Sequence, residues 1–270
     1  MATTIEKTQL VKLLKNTQRK CTINGKPINQ VKGCVLHSRS AIKLETTMIV
    51  RDGKTSLSEF SVRGNISDDG DESIIVPDID MLLGVLSKHK GKITLEQDDD
   101  KLRVKSNSKT TTLTADKRAK AFPHTTDTIL EWALKSEERA ESIEDNTYIT
   151  ASGEVISPQA STVGLDPIVF KDAIESGSVN SQKVNRFELY SDGDSLFLRV
   201  GQDTKGETTT YLCEIDKDLD IEPCLFEGGL ENIDYGNLLT IHFINFKEYG
   251  QGMSILLRFA GGFVFQRGVL

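Results

Sequence analysis

No stretch of the 270 residues approaches the roughly 20 consecutive apolar residues that a membrane-spanning helix requires, which argues against a bilayer crossing. The opening Met1-Ala2-Thr3-Thr4-Ile5-Glu6 has neither a basic leader nor an apolar signal core, so a cytoplasmic protein is expected. Cysteine is scarce. Cys21, Cys34, Cys213 and Cys224 are too few for a disulfide framework in so long a chain, and none forms the CxxC pair that could grip zinc. Reduced, packed thiols are expected. The histidines His37, His89, His124 and His242 never stand at the i, i+4 spacing that places two ligands on one helix face, and no metal site is expected. A Walker-type glycine loop, a GxSxG elbow and an HExxH helix are all missing, and Asp98-Asp99-Asp100 reads as a hairpin turn. These absences leave no recognisable enzyme and no cofactor.

What is there suits a folded protein: 37% hydrophobic and 27% charged residues, in a chain longer than the usual single domain. Two domains are expected, residues 1–123 and 154–270, joined by a connector and charged segment over 124–153. The net charge of −7 is unevenly spread. Residues 1–135 hold 23 Lys+Arg against 17 Asp+Glu, a net +6, and the remainder holds 10 against 23, a net −13. Such a split suits a molecule that offers one basic surface to a polyanion while the rest stays acidic and soluble.

A unit repeats along the chain. Residues 73 to 114 read as a short strand (Ser73 to Val76), a helix opened by Pro77-Asp78, and strands Lys92-Ile-Thr-Leu-Glu96, Lys101-Leu-Arg-Val-Lys105 and Thr110-Thr-Thr-Leu-Thr114. Each strand alternates apolar with polar residues, as half-buried strands do. Residues 222 to 267 repeat the order: a strand at Pro223 to Phe226, a helix at Gly229 to Leu238, then strands from Thr240, Ser254 and Phe263. Longer copies precede both. One has a helix at Lys7 to Lys20 and strands near Val31 to Leu36, Ala41 to Val50 and Leu57 to Gly64. The other has a helix opened by Asp166-Pro167 and strands at Phe187 to Tyr190, Ser195 to Val200 and Thr208 to Glu214. The fold expected is therefore α+β, four βαβββ units paired into two similar domains.

On a helical wheel Leu10, Leu13, Leu14 and Thr17 share a stripe opposite Lys12, Lys15 and Arg19. Ile79, Leu82, Leu83 and Leu86 do the same in the second helix, with Lys88 facing away and Lys90 and Lys92 following, where cations also suit the helix dipole. Lysine on a helix face is ordinarily a solvated surface. Two adjacent units built alike point further, to phosphate contact through charge alone.

The order Ile74-Ile-Val-Pro77, Leu82-Leu83, Leu86, Ile93-Thr-Leu-Glu-Gln-Asp-Asp-Asp-Lys-Leu-Arg-Val104, Thr112-Leu-Thr114 and Phe122-Pro123 resembles the end of a first domain in the bacterial polymerase III beta clamp. Upstream, Thr4 to Leu14 and Val35 to Glu45 are similar to that domain's first helix and following strands. Asn185 to Leu198 and Met253 to Leu270 carry a looser likeness. The beta clamp has three domains per chain, whereas this chain has room for two, as in proliferating cell nuclear antigen and the clamps of T4-like phages. The resemblance implies a homotrimeric ring from a phage, viral or archaeal source, with helices on the inner face and sheets outside. It implies a processivity factor that encircles duplex DNA without reading its sequence. Lys12, Lys15, Arg19 and Lys88 would meet DNA, with Lys7, Lys20, Lys90, Lys92, Lys171 and Lys183 as further candidates. Polymerase and clamp loader would insert short hydrophobic peptides near Ile42, Leu44, Phe122, Ile129, Phe263, Phe265, Val269 and Leu270. Asp172, Glu175, Glu231 and Asp234 depart from this pattern by placing acids in the third and fourth helices. The competing expectation is a β-rich viral structural or assembly ring that never touches DNA.

Overall fold

The computed structural model describes residues 2–23, 26–29, 33–39, 43–51, 55–63, 72–76, 78–98, 101–114, 148–149, 155–156, 159–178, 186–201, 206–249 and 252–268. The chain divides into two compact units, and not at one point. The first comprises Met1–Gln18, Val31–Met48 and Glu59–Ala133; the second comprises Arg19–Gln30, Ile49–Ser58 and Leu134–Leu270. Two pieces of the stretch expected to form the first domain thus belong to the second unit.

In the first unit, β1 (Ala2–Glu6) leads straight into helix α1 (Lys7–Thr17). After the hairpin β2 (Lys20–Ile23) and β3 (Lys26–Asn29) come β4 (Cys34–Arg39), β5 (Lys43–Arg51) and β6 (Thr55–Arg63). The repeat restarts with β7 (Glu72–Val76), α2 (Ile79–Ser87), β8 (Lys92–Asp98), β9 (Lys101–Ser106) and β10 (Lys109–Thr114). The two repeats exchange their leading strands. β1 pairs antiparallel with β8, Ile5 opposite Ile93, while β7 pairs with β4, Ile74 opposite Leu36. Each helix then covers the core through one stripe. Leu10, Leu13 and Leu14 of α1 and Ile79, Leu82 and Leu86 of α2 are fully buried with Ile93, Leu95 and Val104. Each such side chain contributes on the order of 1.5–3 kcal/mol.

The second unit repeats the plan. Two short strands, β11 (Tyr148–Ile149) and β12 (Val155–Ile156), precede β13 (Gln159–Leu165), which enters helix α3 (Pro167–Ser178). There follow β14 (Arg186–Asp192), β15 (Ser195–Val200), β16 (Thr208–Glu214), β17 (Cys224–Glu227), β18 (Leu239–Asn245), β19 (Met253–Phe259) and β20 (Gly262–Arg267). Again the leading strands cross over: β13 pairs with β18, Leu165 opposite Leu239, and β17 pairs with β14. Asp166 caps α3 by accepting from the Ile168 amide at 2.8 Å, with Pro167 in the first-turn position where its missing N–H costs nothing. The core here is aromatic. Phe170 meets Phe187 and Tyr235 edge-on, Phe187 stacks on Phe226, and Tyr235 meets Phe259.

Three expectations need correction. The first helix ends at Thr17 rather than Lys20, because Arg19 takes a left-handed conformation (φ 44°) that no helix can continue. The fourth helix does not form: residues 228–238 are irregular, with turns at 231–232 and 236–237. Gly229 and Gly236 adopt positive φ, and the carboxylates of Glu231 and Asp234 accept from the amides of those two glycines at 3.0 Å, holding turns where a helix would need its own ladder. Strands β1, β2, β3 and β13 were not anticipated. The charged stretch 135–146 and the connector around Phe122 lie outside the described residues. No helix among the described residues is long and apolar enough to cross a membrane.

Candidate nucleic-acid interface

Helices α1 and α2 lie side by side and antiparallel, pinned at both ends. At one end the Lys7 ammonium donates to the His89 carbonyl at 2.8 Å and the Lys7 amide to the Gly91 carbonyl at 3.3 Å. At the other, the Gln18 side-chain amide donates to an Asp80 carboxylate oxygen at 2.7 Å. The C-terminal end of α2 rests on buried His89. Its ring bonds Ser106 Oγ at 3.0 Å and Thr111 Oγ1 at 2.9 Å, tying the β9–β10 hairpin to the helix. Burial, with Lys109 and Lys7 nearby, lowers the pKa of this imidazole from its ordinary value.

Exposed cations lie on α1 and at the C-terminal end of α2. Lys12 and Lys15 are exposed on α1, while Lys88, at the cap of α2, and Lys90 and Lys92 beyond it are exposed beside the negative end of the helix dipole. Lys20 is exposed at the start of β2. The arrangement offers two exposed positive charges on α1 and three at and just past the C-terminal end of α2, the kind of charge that meets phosphates without reading bases.

Other predicted residues fare differently. Arg19 is 1% exposed; its guanidinium sits inside the second unit and donates to the Gly228 carbonyl at 3.3 Å. The wheel placed it on the polar face only by extending the helix past its true end. Lys7 is half-buried and engaged with His89, and Lys171 lies 3.9 Å from Glu175 on α3. Phe263 and Phe265, expected in a peptide pocket, are each 6% exposed and pack with Ile244, Phe246 and Leu256, so their rings are core rather than receptor surface. Leu44 stands opposite Ser38 in the β4–β5 pair. Lys183, Ile42, Phe122, Ile129, Val269 and Leu270 lie outside the described residues. Sequence reasoning missed His89, whose burial between two lysines nothing in the pattern of residues announced.

This architecture has close counterparts among solved structures. The DNA polymerase III beta subunit of Thermotoga maritima superposes with a TM-score of 0.62 at 13% identity, over 100% of this chain and 65% of that one. The subunit beta of Pseudomonas aeruginosa gives 0.63 at 14% identity, over 100% and 66%. The fold is that of a sliding clamp. The Helicobacter pylori beta clamp, solved bound to a DNA ligase peptide, matches this clamp fold with a TM-score of 0.58 at 17% identity, again over 100% of this chain and 66% of its own. The chain therefore spans just under two thirds of the length of these clamps. No family model matches the sequence, and no curated protein matches it either.

Proposed function

We propose that this chain is a subunit of a ring-forming DNA sliding clamp, a non-enzymatic processivity factor that encircles duplex DNA and tethers a polymerase to it. The observation that carries the proposal is the antiparallel α1–α2 pair, with Lys12, Lys15, Lys88, Lys90 and Lys92 exposed, within a clamp fold. A hold that is topological needs only weak, base-blind contacts, and lysines on α1 and at the C-terminal end of α2 supply them. Two domains per chain favour a homotrimer. Closure would join strands that are paired on one side only among the described residues: β10, with Thr110 to Thr112 and Lys109, and β16, with Thr208 to Thr210 and Glu214. Polymerase and loader would dock short hydrophobic peptides, as the ligase peptide docks on the Helicobacter pylori clamp.

Two measurements test this. Native mass in solution should equal three chains. Retention on closed circular DNA should exceed retention on linear fragments of the same sequence, and K12A/K15A/K88A/K90A should abolish most of it while melting like the parent. A clean monomer that leaves circles as fast as linear fragments overturns the proposal.

A further inference from the structure

The two units can be aligned position by position. Ile5 and Leu165 are the last buried residues of β1 and β13 and pair with Ile93 and Leu239 respectively. From this anchor, every position from 5 to 15 has the same burial as its counterpart from 165 to 175, and every position from 88 to 95 the same as its counterpart from 234 to 241. Buried Leu10 matches buried Phe170, and buried His89 matches buried Tyr235. The exposed positions match in place, and Glu6 matches Asp166 in charge, but the exposed cations do not recur. Lys12 corresponds to Asp172, Lys15 to Glu175 and Lys88 to Asp234, while Lys90 and Lys92 correspond to Gly236 and Leu238. Three cations are thus replaced by three anions and two more by uncharged residues, on equivalent exposed sites of one scaffold. Lys171, the cation of α3, is half-buried at the Val11 position and lies 3.9 Å from Glu175.

We propose that duplex DNA is gripped by the first unit alone and that the α3 face of the second unit repels the phosphate backbone, with Asp172 and Glu175 as the residues that set this polarity. The inference rests on the clamp reading and sharpens it. A face with the same shape but inverted charge cannot release counterions from DNA; it adds an unfavourable term that salt screens. The resulting one-sided grip keeps the hold weak, as sliding requires.

The test is the salt dependence of binding to a mixed-sequence duplex oligonucleotide. K12A/K15A should flatten the slope of log affinity against log salt by about 1.8, the loss of two phosphate contacts. D172N/E175Q should bind on the order of fivefold more tightly at low salt, the gain fading as salt rises. D172K/E175K, which restores the lysines of α1, should steepen the slope by about 1.8. Both sites are exposed, and matched melting temperatures check that the variants fold. Asp234 is left intact because its carboxylate holds the Gly236 amide. If the parent binds with a slope that K12A/K15A flattens while both α3 variants leave affinity and slope unchanged, the repulsive face is overturned and the clamp reading stands. Should the parent show no salt-dependent binding at all, both fall.

Discussion

The ammonium of Lys7, in the first turn of α1, donates to the main-chain oxygen of His89 just past the end of α2, 2.8 Å away and 82 residues along the chain. One side chain thereby satisfies a carbonyl that the end of α2 leaves without a helical partner. It also holds the start of α1 against the end of α2.

Lys7→Met should therefore cost stability although it removes a mere surface charge by sequence standards. A part-buried hydrogen bond to a charged donor is worth about 1.5–3 kcal/mol. Chemical denaturation should show a loss near the lower figure, whereas Lys15→Met, at an exposed position, should be close to neutral.

His89 makes the first unit sensitive to acid. Its folded-state pKa lies below the ordinary value because burial and the neighbouring Lys109 and Lys7 disfavour the imidazolium. The unfolded chain then binds more protons, so this contribution is fully present above the unfolded pKa and is lost as pH falls from about 6.5 through the folded value. Urea midpoints recorded from pH 8 to pH 5 should fall for the parent, and the fall should be shallower in His89→Gln, which cannot titrate.

Arg19 separates two meanings of a basic residue. Buried beside the Gly228 carbonyl, and near enough to Tyr235 to oppose the rise that burial imposes on the phenol's pKa, it serves the core of the second unit. Arg19→Ala should destabilise by about 1–3 kcal/mol, the cost of leaving buried acceptors without their donor. The salt slope of DNA binding should not change in the fraction that remains folded, in contrast to Lys12 and Lys15.

Phe265→Ala should cost about 3–5 kcal/mol by opening a cavity against Ile244, Phe246 and Leu256. A melting scan would show it directly. A drop below 1 kcal/mol, with peptide binding lost, would return this ring to the receptor surface.

Much of the architecture was legible because strands announce themselves through alternation. Leu102 and Val104 in β9, or Leu196, Leu198 and Val200 in β15, are buried at every second position, and the range Ser195–Val200 could be read to the residue. The leading strands were not legible, since β1 is five residues long and gains its identity from β8, some 90 residues away. The failed fourth helix shows another limit. Leu230 and Ile233 have helical spacing and are buried, yet Gly229 and Gly236 sit at φ +83° and +71°, and local carboxylate bonds outcompete the helical ladder. For the candidate interface, the exposure of Lys12 and Lys15 on α1 was legible from the wheel, because a helix buried on one side must expose the other. Arg19 was misplaced because periodicity cannot reveal where a helix stops, and the antiparallel pinning of the helices rests on contacts that periodicity does not encode.

The hairpin of β2 and β3 adds one more consequence. It leaves the chain between α1 and β4, yet it belongs to the second unit: the Lys20 carbonyl accepts from Asn232, and β2 packs on α3. Cutting the gene between the two halves would strand this hairpin on the wrong fragment. Neither piece expressed alone should be well behaved, and mixing them should recover structure only when the hairpin finds its seat. During synthesis the same crossing leaves this hairpin without its seat until α3 and Asn232 have emerged.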